Sequence, residues 1–256
     1  MFGWLRRRRR ARLRAQPFPA AWRAIVERNV PYFRRLPLAD QAELLGHTQV
    51  LLAEKSFEGC GGLELTDEVR VTIAAQASVL LLHRDTEYFP RVSSVLVYPS
   101  TYVSAEEEEL LPDGTVLAGA DARLGESWVQ GAVVLAWDAS LTGAVHPRDG
   151  DNVILHEFAH QLDQDYGHAD GLPRLPRREL YREWAEVFAR EFAELQRDAE
   201  RGRRRRVLDP YGATNPAEFF AVATEAFFER GPELKRRHPE LYRLLQAFYL
   251  QDPAEL

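Results

Sequence analysis

The stretch NVILHEFAHQLDQD, residues 152 to 165, constrains this chain more than any other. It places two histidines four apart, with a glutamate directly after the first, among apolar residues that recur at helical spacing. On a helix, residues four apart lie about 40° apart around the axis and about 6 Å apart along it. His156 and His160 can therefore aim imidazole nitrogens at one point. Zinc accepts neutral histidine at about 2.0–2.1 Å and, where catalytic, takes three protein ligands and a water. Glu157 would then stand beside the open position as a base. A surface helix with a chance H-E-x-x-H has the same local pattern, so a third ligand must be found elsewhere.

The downstream candidates are Asp163, His168, Asp170, Glu218 and Glu225. Asp163, three residues after His160, would crowd a metal as a ligand and better suits a hydrogen bond to a ligand histidine. His168 and Asp170 lie in the glycine-containing turn DYGHADGLP. In YGATNPAEFFAVATEAFFERG, Asn215 reads as an N-cap, Pro216 as the first helical residue and Glu218 as the acid of a capping box. Glu225, seven residues on, shares nearly the same helical face, and spacing alone does not separate the two.

Composition narrows the class. The 256 residues are 45% hydrophobic and 28% charged, as expected of a globular protein with one substantial core. Cys60 is the only cysteine, which excludes an intrachain disulfide and a cysteine-based metal cluster. A cytoplasmic location fits that usage. The longest apolar run, Val71 to Leu82, contains Gln76 and Ser78 and is too short to span a membrane.

The net charge of −6 conceals an asymmetry. Residues 1 to 16 carry seven arginines and no acid, leaving the other 240 residues at −13. This start resembles a signal peptide, but Pro17, Pro19 and Arg23 interrupt any apolar segment after it. A solvated, disordered arm is expected; the sharper alternative is electrostatic docking to nucleic acid, anionic lipid or an acidic patch. RGRRRR at 201 to 206 reads as an exposed loop. The acidic body carries no nucleic-acid motif, so direct nucleic-acid binding is not expected.

The pattern is helical from Pro17 to about Leu82, with Trp22, Ile25 and Val26 on one face and Leu44, Leu45 and Leu51 on another. LTDEVRVTIAAQASVLLLH predicts a largely buried helix capped by Thr66. SSVLVYPSTYV and GAVVLAW read as strands around an acidic turn region, with Trp128 and Trp137 as core residues. ESWVQGAVVLAW is a candidate edge strand for an extended substrate. After Asp149-Gly150 the chain is helical again. The expectation is one α+β domain over 17–256: a helical part (17–90), a small mixed sheet (91–150) and site-bearing helices (151–256).

FEGCGGLELTDEVRVTIAAQASVLLL, VLVYP, GESWVQGAVVLAW, NVILHEFAHQLD, GLP and NPAEFFAVATEAFF occur in that order. Through these blocks the chain resembles the Mlc titration factor A family of zinc-dependent peptidases, from about Trp22 to Pro253, with the arginine-rich start outside. The resemblance implies a zincin-like metallopeptidase fold similar to the catalytic core of anthrax lethal factor. It implies zinc on His156, His160 and Glu218 rather than Glu225, Glu157 as catalytic base, and Tyr211, seven residues before Glu218, as a donor to the oxyanion. It further implies a peptide or protein substrate, aminopeptidase activity among the options, and a Mlc-type transcriptional repressor as partner; the chain itself is expected to be a monomer. The alternative function is a binding protein that sequesters the repressor, with peptidase activity secondary. One departure is visible: some relatives carry a histidine shortly after the Asp-Gly turn, whereas DGTVLAGADAR has Leu117 there and no histidine.

Overall fold

The computed structural model describes residues 2–100, 131–146, 149–164, 170–202 and 207–256, together with five two-residue strands between 102 and 126. Trp128, His168, residues 203–206 and the side chains of 101–130, Leu117 included, lie outside that description.

A disordered arm is expected over residues 1–16, but Phe2–Arg14 forms helix α1. It lies against α4 (Leu38–Glu54), beyond α2 (Ala20–Asn29) and α3 (Pro31–Arg35). Its anchor is ionic, which is why apolar periodicity gave no sign of it. The buried Arg10 guanidinium donates to Glu54 at 2.8–3.1 Å and to Glu87 at 2.9 Å, and lies 4.7 Å from the Tyr88 ring centre. Leu13 packs against the core, and the aliphatic stem of Arg14 covers Gly46.

Strand β1 (Ser56–Gly59) falls inside the stretch read as helical. At four residues, directly before Cys60-Gly61-Gly62, it is too short to show a period of its own. Next come α5 (Asp67–Val79), β2 (Ser94–Tyr98) and two small antiparallel ladders. These pair β3 (Tyr102–Val103) with β6 (Ala122–Arg123), and β4 (Glu109–Leu110) with β5 (Val116–Leu117). Strands β7 (Gly125–Glu126) and β8 (Ala132–Ala136) complete a four-stranded sheet of order β1-β2-β8-β7. The first three strands are parallel and β7 is antiparallel to β8, giving a small mixed sheet in a mainly helical protein. The run read as one edge strand is thus divided, with β7 at the edge and β8 inside. Trp137 does not continue β8; it begins α6 (Trp137–Val145) and packs partly buried against the core.

Helix α5 is the central element. Thr66 Oγ1 accepts the Val69 N–H, as its cap position predicts, and every residue from Val71 to Val79 is buried. A helix apolar on nearly all sides must be surrounded, and α2, α4, α6 and α7 (Val153–Asp163) do so. Val95 and Val97 of β2 and Val133 and Leu135 of β8 join the same hydrophobic cluster, which reaches from Val26 to Tyr249.

The C-terminal part consists of α8 (Leu180–Glu200), a 3-10 turn (Pro210–Ala213), α9 (Pro216–Glu229), α10 (Gly231–Arg237) and α11 (Pro239–Tyr249). Helix α8 buries Leu180, Trp184, Val187, Phe188, Glu191 and Leu195, one stripe at helical spacing. Trp184 stacks on Phe188 with centroids 4.0 Å apart, and meets Phe220 of α9 and Phe248 of α11. This aromatic contact holds α9 from behind while its other side packs on α7. Among the described residues, no helix is long and apolar enough to cross a membrane.

Candidate metal centre

Helix α7 begins where Asn152 Oδ1 accepts the Leu155 N–H at 3.1 Å, a cap worth about 1 kcal/mol. Ile154, Leu155, Phe158 and Ala159 are buried, and Phe158 meets Phe89 edge-on at 4.8 Å. That packing fixes the roll of α7, and with it the direction of His156 and His160.

Helix α9 approaches from about sixty residues downstream. Asn215 caps it by accepting the Glu218 N–H at 3.0 Å, with Pro216 in the first turn. The backbone half of the expected capping box is therefore present, but the Glu218 carboxylate turns to the histidines. Glu218 Oε2 lies 2.9 Å from His156 Nε2 and 3.4 Å from His160 Nε2, and the two nitrogens are 3.1 Å apart. Tetrahedral ligands at about 2.0–2.1 Å from zinc stand about 3.3 Å from one another, so the three atoms are spaced as a metal's ligands would be. The donor chemistry fits as well. Glu157, Glu218 and Glu225 crowd their negative charge around two imidazoles in a largely buried space, and a divalent cation would balance it.

Glu225, the rival third ligand by sequence, occupies a different position. Its buried carboxylate meets His156 Nδ1 at 2.7 Å, on the ring edge away from Glu218, and accepts the Asn152 N–H at 2.6 Å. Glu229, one turn on, accepts from Asn152 Nδ2 at 2.9 Å and from the Gly150 N–H at 3.0 Å. One face of α9 thus carries Glu218 to the nitrogen cluster, Glu225 to the back of His156 and Glu229 to the start of α7. Sequence reasoning missed the last two roles. The available signal was three acids at spacings of seven and four inside an otherwise apolar run.

Asp163 does not make the hydrogen bond to a histidine expected of it. Its Oδ2 accepts the Gly171 N–H at 2.8 Å. Asp163 Oδ1 and His160 Nδ1 are both buried and have no hydrogen-bond partner among the described residues. Gly171 in turn accepts the Trp184 indole N–H and abuts Pro216, so Asp163 braces the start of α9. Asp170, another ligand candidate, caps Leu172 at the surface.

Tyr211 lies in the 3-10 turn, exposed, with its ring centre 6.1 Å from that of His156. Asp209 accepts the Tyr211 N–H at 2.8 Å. Gly212 is pressed so closely on Val222 and Leu195 that a Cβ would lie 3.1–3.2 Å from their side chains. The turn is therefore held against α8 and α9, which sets Tyr211 on the solvent side of the cluster.

Electrostatics follow from burial and pairing. Burial alone would raise Glu218, but hydrogen bonds from both histidines outweigh it and hold the carboxyl down at about 2. Burial alone would lower His156, but the Glu225 charge and the hydrogen bonds to Glu218 and Glu225 raise it well above its ordinary value. Burial pushes Glu157 and Glu225 up. A second group, Asp40, Glu43 and His83, differs in kind. Each ring nitrogen of His83 faces a different carboxylate, at 3.3 and 3.6 Å, which is an ion-pair arrangement.

Comparison with known proteins finds matches along nearly the whole chain. The sequence pattern of the family described as "Glucose-regulated metallo-peptidase M90" matches residues 4–250. The match begins within α1, so the arginine-rich helix lies inside the family's span rather than outside it. An uncharacterized protein of Synechocystis is 42% identical over 247 residues, covering 96% of this chain and 89% of that one. The Mlc titration factor A of Serratia proteamaculans is 32% identical over 226 residues, covering 88% of this chain and 85% of its own. That of Yersinia pestis is 31% identical over 229 residues, covering 88% and 83%.

Proposed function

Because the chain belongs to the glucose-regulated metallo-peptidase M90 family, we propose that it hydrolyses peptide bonds at a zinc site formed by His156, His160 and Glu218. The observation that carries this reading is the triangle of two Nε2 atoms and one Oε2, with sides of 2.9, 3.1 and 3.4 Å. Zinc held there would supply Lewis acidity, polarising the scissile carbonyl and acidifying water.

Glu157 takes the proton of the attacking water and delivers it to the leaving amine; a carboxyl raised by burial suits both transfers. Tyr211 donates its phenol proton in a hydrogen bond to the developing oxyanion from the solvent side. Glu225 keeps His156 in one tautomer and orientation. The strand β7, at the edge of the sheet among the described residues and in contact with α7, offers its outer side to an extended substrate backbone. Histidines on α7, a glutamate on α9 and a mixed sheet beside them support a gluzincin-like site in a zincin-like fold. Aminopeptidase substrates are the first class to assay.

The names of the Serratia and Yersinia relatives support a second reading, in which a Mlc-type transcriptional repressor is the partner of a cytoplasmic monomer and peptidase activity is secondary. Metal analysis of purified protein, with peptide cleavage by wild type and Glu157→Gln, tests the first. We expect about one zinc per chain in both and a loss of at least about 100-fold in cleavage for the variant. Equal cleavage by the two zinc-loaded proteins refutes the mechanism. Absent cleavage in zinc-loaded wild type, with tight repressor binding, favours the second reading.

A further inference from the structure

We propose that the outer face of α1 docks this protein on an anionic lipid surface. The inner face is already committed. Arg6 pairs with Glu87, Arg9 with Glu54, Arg10 with both, and Leu13 joins the core. At 100° per residue, Trp4, Leu5, Arg8 and Arg12 fall within about 100° of one another on the side opposite Arg10. All four are exposed, Trp4 at 63% and Leu5 at 54%. Arg7, Arg8 and Arg12 form no ion pair among the described residues, and the Arg8 guanidinium lies 5.4 Å from the Trp4 ring centre.

This combination fits a lipid surface. Thirteen residues make a helix about 20 Å long, lying along the protein surface and therefore able to lie along a membrane. Tryptophan and leucine enter the headgroup–acyl boundary, while neighbouring arginines meet anionic headgroups. The two attractions together supply what either alone does weakly. The remaining 240 residues, at −13, are repelled by the same surface, so docking has one orientation, with α1 facing the lipid. A nucleic acid would engage the arginines but gain little from Leu5.

Full-length protein is sedimented with vesicles of phosphatidylcholine alone or mixed with phosphatidylglycerol, at low and high salt. Binding is expected to the phosphatidylglycerol vesicles only, and to weaken with salt. The triple variant Arg7→Gln, Arg8→Gln, Arg12→Gln loses partitioning by on the order of 100-fold. Trp4→Ala loses about tenfold at unchanged charge. Neither variant touches a core contact, and circular dichroism reads the retained fold. Sedimentation of the triple variant equal to wild type overturns the proposal. So does an unaffected Trp4→Ala protein, which would leave charge as the sole attraction. Retention of a single-stranded RNA oligomer without vesicle binding makes the face a nucleic-acid site instead.

Discussion

Glu225 Oε1 lies 2.7 Å from Nδ1 of His156, the ring nitrogen turned away from Glu218. A carboxylate behind a ligand histidine fixes its tautomer, aims its other nitrogen and strengthens it as a donor. Glu225→Ala is therefore expected to weaken zinc binding by about 10–100-fold in a chelator competition. Glu225→Gln, which keeps an acceptor oxygen, loses less. Equal zinc affinity in the alanine variant and wild type would remove Glu225 from the metal centre.

Tyr211 acts on the transition state in this scheme and leaves the metal alone. Tyr211→Phe should lower kcat by about 100-fold, with zinc content and KM little changed. A fall confined to KM would make the tyrosine a substrate contact.

Gly171 has φ +77°, and a Cβ there would lie 2.5 Å from the Pro216 carbonyl oxygen. Gly171→Ala combines a strained backbone with a contact that only movement of α9 relieves. Destabilisation of about 3 kcal/mol is expected, a fall of roughly 5–10 °C in Tm. Zinc affinity should fall with it, because Pro216 leads directly to Glu218. A thermal scan unchanged within a degree or so contradicts this account.

Burial raises the Glu229 carboxyl from 4.5 to about 8, against the hydrogen bonds from Asn152 and Gly150. The folded state therefore favours the protonated form. The stability it contributes is complete below about pH 4.5 and disappears as pH rises through about 8. Glu229→Gln, neutral at every pH, should remove on the order of 2–4 kcal/mol of that decline and be the more stable protein at pH 9. Urea unfolding across pH 5 to 9 measures it; parallel curves for the two proteins would show that Glu229 does not titrate there.

Much of the helical organisation was legible because it depends on near neighbours. Thr66 and Asn215 announce helix starts by position and hydrogen-bonding capacity. Apolar spacing marks the faces of α4, and β2 and β8 show as short apolar runs. Strand β1 was too short for a period, and α6 was hidden because Trp137 reads as the end of a strand. Helix α1 has no apolar stripe, since Arg10 anchors it through Glu54 and Glu87, carboxylates 44 and 77 positions away.

The site divides in the same way. The sequence alone determined that His156 and His160 share a helical face with Glu157 between them, because four-residue spacing sets that angle in any α-helix. Only the tertiary structure decided that Glu218 faces Nε2 of His156 while Glu225 faces Nδ1, and that Asp163 braces Gly171. Two acids seven apart on α9 are nearly equivalent by periodicity. What separates them is where α7 crosses α9, and that is set by Trp184, Phe220 and Phe248 packing behind α9, contacts between segments that no local spacing relates.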